Sequence, residues 1–156
     1  MISYPIATDD LNNRIRLRHP SWHQRAEKEL EQCITDGHFS ERCKPIWNKL
    51  KNIFETIQSG HNGRPKCVYC ESYLSKEKRS AHGHIDHFRP KSLYYHLSYN
   101  PRNYVLACTI CNASYKRNHF PIEGTQNLNT MSEDELESEK PLLIHPLDPN
   151  EPNLQV

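Results

Sequence analysis

His84-Ile-Asp-His-Phe-Arg-Pro-Lys-Ser92, followed by Asn103-Tyr-Val-Leu-Ala-Cys-Thr-Ile-Cys-Asn112, decides the fold. Each segment opens on a short apolar run with strand-like alternation, around Ile85 and around Val105. Pro90 ends the first run, since proline cannot donate to a ladder. If residues 85–88 form a strand, His84, Asp86 and Phe88 share one face and Ile85 and His87 the other. The second run passes into Cys108-Thr-Ile-Cys111 and then a polar stretch, NASYKRNH, that reads as a helix ending at Pro121. Asn112 opens that helix, with Lys116 and His119 expected on one face at i+4 and i+7.

Cys67-Val-Tyr-Cys70 forms a second CxxC pair, separated from the other by 37 residues. A CxxC turn points two thiolates at one centre, so Cys67, Cys70, Cys108 and Cys111 make a four-sulfur set suited to a structural Zn²⁺. Disulfides are disfavoured because no secretion signal is evident, and a thioredoxin-like site would need a βαβ context. Cys33 and Cys43 read as small core residues. Metal binding also contributes folding free energy, which matters for a chain with only 35% apolar residues.

The formal net charge of +1 hides a partition. Residues 1–60 carry +1, residues 61–120 carry +7 and residues 121–156 carry −7. The basic segment also holds six of the ten histidines and four of the six cysteines. Concentrated positive charge points to a polyanion, because lysine and arginine displace counterions condensed on phosphates. A solvated basic face neutralised by the acidic tail is the competing reading.

The first third reads as helical. Ser21 with Gln24 forms a possible capping box. Trp22, Ala26, Leu30, Cys33 and Ile34 follow near the helical period, and Gly37 is the stop. A second helix is expected from Ser40, with Pro45 in its first turns, through Ile46, Trp47, Leu50, Ile53, Phe54 and Ile57 to Gly60. The pair reads as an antiparallel hairpin over residues 1–60, packing on the rest or docking a partner. Residues 61–125 form the zinc-stapled core. Residues 126–156 are an acidic, proline-rich segment with a helix expected after Ser132. The chain stops soon after PLLIHPLDPNEPN, which points to a longer native protein. The longest apolar run, Tyr104–Cys108, is far too short to span a membrane, and a cytoplasmic location is expected.

Asp86 and Asn112 together offer a carboxylate and an amide oxygen. That sparse, hard set suits a Mg²⁺ or Mn²⁺ ion that keeps most of its waters. A CxxC, a DH dipeptide and an NxxxxCxxCN stretch resemble the HNH endonucleases of the ββα-metal group that carry a four-cysteine zinc. More narrowly, YCES, HIDHFRPKS, NYVLACTICN and KPLLIHP are similar to the PtuB-like HNH subunits of Septu-type and retron-associated anti-phage systems, over about residues 60–150. The resemblance implies an α+β fold: a ββα-metal core stapled by zinc and preceded by the helical hairpin. It implies that His87 is the general base, that Asp86 and Asn112 hold the catalytic metal, and that Asn103 braces the loop between the strands. Asn112 stands where many of these enzymes have histidine. A PtuA-like ATPase partner is implied as well.

Phosphodiester hydrolysis fits these residues. A neutral His87 can take a proton from water near pH 7, and a divalent ion acts as Lewis acid. Arg89, Lys91, Lys116 and Arg117 are expected to hold phosphates, of DNA in preference to RNA, without choosing a base sequence. His84 is open between a contact to metal or phosphate and a bystander role; His119 and His145 read as surface residues. The alternative function is a non-catalytic, zinc-stapled nucleic-acid-binding or adaptor module.

Overall fold

A computed structural model describes residues 3–60, 63–128 and 130–150. The architecture is α+β and is built around a two-stranded antiparallel ribbon, β1 (Gly83–His87) and β2 (Tyr104–Cys108). The register pairs Gly83 with Cys108, Asp86 with Val105 and His87 with Tyr104. Alternation then sorts the side chains. Ile85, Tyr104 and Leu106 face the N-terminal helices in one core. Val105 faces a second core with Val68, Phe88, Tyr94, Leu97 and Phe120.

Three helices cover the first face. α1 (Thr8–Arg18) buries only Leu11 and Ile15, one turn apart. Acids in its first turn and arginines in its last complement the helix dipole. α2 (Trp22–Asp36) buries Trp22, Ala26 and Cys33 and ends at Gly37, whose φ of 70° is the left-handed stop the sequence predicts. The expected capping box does not form: Ser21 occupies the cap position but its side chain makes no cap hydrogen bond. Ile34, expected in the stripe, is 56% exposed.

The helix expected from Ser40 begins later. A 3₁₀ turn (Ile46–Leu50) leads into α3 (Lys51–Ile57), and Pro45 precedes both. The Asp36 carboxylate accepts from Gln32, Ser40 and Arg42, which holds the intervening segment in a compact turn instead of a helix. Cys33 and Cys43 lie side by side in the core.

The outer edge of β2 is covered by a side chain. Gln58, fully buried at the end of α3, accepts from the Leu106 N–H and donates to the Leu106 and Lys66 carbonyls. The amide thereby takes the place of a third strand's peptide.

The acidic C-terminal third packs back on the ribbon. α4 (Glu133–Glu137) follows Ser132. Pro146 and Leu147 then run beside Tyr4 and Ile6, and the Arg102 guanidinium donates to the Ile6 and Leu147 carbonyls. His145 is not a surface bystander. Its Nε2 donates to the Arg102 carbonyl, and its Nδ1 accepts from the Leu147 N–H. No helix among the described residues is long and apolar enough to cross a membrane.

Candidate metal centres and nuclease site

The four cysteines predicted from the CxxC spacing come together. Their sulfurs all lie within 4.8 Å of one another, and Cys70 and Cys108 are 3.9 Å apart. Tetrahedral coordination with Zn–S bonds of about 2.3 Å needs sulfurs roughly 3.8 Å apart, so the set is positioned to bind a metal ion. Cys67, Cys108 and Cys111 are buried and Cys70 is exposed. Burial pushes the Cys67 and Cys111 thiols up. At Cys70 burial acts the same way, but hydrogen bonds from Ser72, Cys67 and Cys111 prevail and bring it down to about 7. A thiol of that kind readily gives the thiolate that a metal requires.

From the second knuckle the chain enters a π-helix (Cys111–Lys116), whose closing bond runs from the Arg117 N–H to the Asn112 carbonyl at 3.2 Å. The helix is shorter than the sequence predicts. Arg117 adopts φ of 44°, so His119 lies beyond the helix end and shares no helical face with Lys116. Asn112 sits half-buried in the first turn of this helix.

Asp86 is buried on the β1 face that looks toward this helix. Its Oδ2 accepts from Tyr69 Oη at 2.8 Å and lies 3.3 Å from Lys116 Nζ. Burial raises the Asp86 carboxyl above its ordinary range, while Lys116 and Tyr69 pull it back. Burial likewise lowers Lys116, with Asp86 opposing. Tyr69 is a site residue that the sequence reading passed over. The signal was its place inside the first CxxC turn, which fixes it relative to the sulfurs.

His87 faces the other way. Its ring is 4% exposed and stands edge-on to Trp47, with centroids 4.6 Å apart, and to Tyr104, with centroids 5.2 Å apart. Nε2 donates to the Ser98 carbonyl at 3.0 Å. A carbonyl only accepts, so this bond fixes the tautomer and leaves Nδ1 as the basic nitrogen. Burial lowers His87 to about 3, which keeps the ring neutral at physiological pH. Adjacent in sequence, Asp86 and His87 therefore lie on opposite faces of the ribbon, as the alternation predicts. His84 shares the Asp86 face, is exposed, and meets Thr109 Oγ1 at 3.1 Å.

Asn103 is buried at the end of the interstrand loop. Its Oδ1 accepts from the Arg89 N–H at 2.8 Å, and its Nδ2 donates to the Arg89 carbonyl at 3.0 Å. One side chain thus ties the two ends of the loop together immediately after His87.

Two of the four expected phosphate-holding residues are buried and paired inside the protein. Arg89 is buried, its guanidinium paired with Glu139 and donating to the Leu136 carbonyl. Lys116 is buried against Asp86 and donates to the His87 carbonyl. In both cases acceptors inside the protein outcompete solvent. Lys91 is half-buried, with Nζ 5.2 Å from the Phe39 ring centroid, and Arg117 is exposed.

Residues 67–118 match the HNH endonuclease family. The chain is also similar to the Septu protein PtuB of Bacillus mycoides (strain KBAB4), with 32% identity over 117 residues that cover 65% of this chain and 37% of that protein. The Septu protein PtuB of Bacillus thuringiensis is 34% identical over 82 residues, covering 53% of this chain and 30% of that protein. The chain spans about a third of the length of these curated relatives in the matched segments. No solved structure matches the chain significantly.

Proposed function

We propose that this chain, which matches the HNH endonuclease family over residues 67–118 and is similar to Septu PtuB proteins, hydrolyses nucleic-acid phosphodiester bonds as the nuclease of an anti-phage system. The observation that carries this reading is the placement of Asp86 on β1 opposite a helix that begins at the sulfur cluster and bears Asn112 in its first turn. The four cysteines take Zn²⁺ and fix that helix against the ribbon. The buried carboxylate of Asp86 and the amide oxygen of Asn112 are the hard donors for Mg²⁺ or Mn²⁺. Such an ion would supply charge neutralisation at the scissile phosphate.

The chain's own residues do the rest. His87 is held neutral by burial and in one tautomer by Ser98, so Nδ1 is the proton acceptor. Asn103 keeps the loop after His87 closed. Lys91 and Arg117 are the remaining cations for the phosphate backbone, with DNA as the expected substrate. A PtuA-like ATPase partner and a cytoplasmic location complete the proposal. Co-elution of the co-expressed pair in size-exclusion chromatography tests the partner.

The specific observation for a second reading is that Asp86 and His87 face apart and that both already have internal partners. A non-catalytic, zinc-stapled nucleic-acid-binding module would tolerate that geometry. Plasmid nicking with Mg²⁺ or Mn²⁺ decides between them. Cleavage by the wild type that is lost in Asp86→Ala and His87→Ala supports the enzyme. Binding of DNA with equal background cleavage in all three leaves the module.

A further inference from the structure

Lys116 is the most deeply placed cation of the basic segment that touches the site, and the function proposed above gives it no task. Its side chain is 6% exposed, and that of its partner Asp86 is 9% exposed. Nζ is held twice, by the His87 carbonyl at 2.5 Å and by Asp86 Oδ2 at 3.3 Å. Both acceptors belong to β1, whereas the lysine belongs to the π-helix, so the ammonium bridges the two elements between which the metal donors lie. Tyr69 donates to the same Oδ2. The two side-chain partners of the carboxylate therefore sit on one oxygen, Oδ1 takes neither, and the His87 backbone supplies a further hydrogen bond to the carboxylate.

We propose that Lys116 is the resident counterion of Asp86: together with Tyr69 it occupies Oδ2, turns Oδ1 to a divalent cation, and sets how weakly that cation binds. The inference rests on the metal centre proposed above and goes on to its affinity. The physical basis is direct. A buried carboxylate without a partner is costly, so the ion pair holds the cation-free protein together. The same fixed positive charge repels a second cation arriving at the same group, so the stability of the empty site is gained at the expense of cation affinity. Lys116 is a positioning residue in this scheme and touches no substrate.

The test uses the whole zinc-loaded chain and Mn²⁺ alone as probe. Titration calorimetry of wild type, Asp86→Asn, Lys116→Met and Lys116→Arg is paired with thermal melts with and without Mn²⁺. The expected result is an Asp86-dependent Mn²⁺ site that binds about tenfold or more tightly in Lys116→Met and near wild-type affinity in Lys116→Arg. Lys116→Met should also melt lower than wild type without Mn²⁺, with the gap closing when Mn²⁺ is added. Equal or weaker Mn²⁺ binding in Lys116→Met, with binding still abolished by Asp86→Asn, overturns the inference and leaves the nuclease reading standing. If Lys116→Met does not fold, Lys116→Gln gives the same reading with a polar end. A wild type without any Asp86-dependent site overturns the metal centre itself, and the inference with it.

Discussion

Glu139, from the acidic C-terminal third, closes on Arg89, two residues past His87 and fifty residues away in the chain. The carboxylate is fully buried and also accepts from Tyr94 Oη and the Asn127 N–H. A cation of the basic segment and an anion of the tail thus meet inside the protein. The partition of charge along the sequence is in part a map of this contact. Removing one partner strands the other in a low-dielectric site, so Glu139→Gln should cost about 3–5 kcal/mol in chemical denaturation. The double variant Arg89→Met/Glu139→Leu should recover much of that loss. A single variant as stable as wild type would contradict the buried pair.

Asn103→Ala removes both hydrogen bonds that hold Arg89 to the loop's far end. Leaving those backbone groups unpaired should cost about 1–3 kcal/mol. Hydrogen exchange at the Arg89 amide should rise well beyond the global change. Unchanged protection there would show that the brace is dispensable.

The two proposed roles for histidine on β1 separate by face. His87→Ala should lower cleavage by about 10²–10⁴-fold, the usual contribution of a general base. His84→Ala, on the exposed Asp86 face, should change it far less. The reverse ranking, read in the same nicking assay with folding checked by circular dichroism, would move the base to His84.

Cys67→Ser and Cys111→Ser should lower zinc content and solubility together, since structural metal binding is also folding free energy. Elemental analysis alongside denaturation checks this. A well-folded variant without metal would show that the sulfurs are not a structural staple.

His145 supplies a pH dependence with a definite sign. Burial lowers it from the ordinary 6.5 to about 4, and its Nδ1 must stay unprotonated to accept from the Leu147 N–H. Below pH 6.5 the unfolded chain takes up a proton that the folded chain refuses. Stability is therefore complete above pH 6.5 and declines toward pH 4, by up to about 1.4 kcal/mol per unit from this one group. His145→Gln should flatten that part of the urea-midpoint profile. An identical slope in the variant would remove His145 as the cause.

Much of this was readable locally. The CxxC spacing led to the sulfur cluster, the β1 and β2 runs lie where alternation puts them, and Gly37 ends α2. Alternation even separated Asp86 from His87. What escaped depends on partners distant in sequence. α1 is a polar helix that buries Leu11 and Ile15 alone, too sparse a stripe to stand out. The start of α3 was shifted by the side-chain bonds of Asp36. Arg89 and Lys116 read as surface cations because a charge count carries no information about Glu139 or Asp86 folding onto them.

A ribbon of only two short strands would ordinarily present a bare row of peptide groups, ready to recruit a neighbouring chain. Gln58 denies that opportunity at Leu106, the centre of β2, by matching donor and acceptor with its own amide. Together with the Val68 N–H, which donates to the same Leu106 carbonyl, that glutamine removes the template a strand from another molecule would need there.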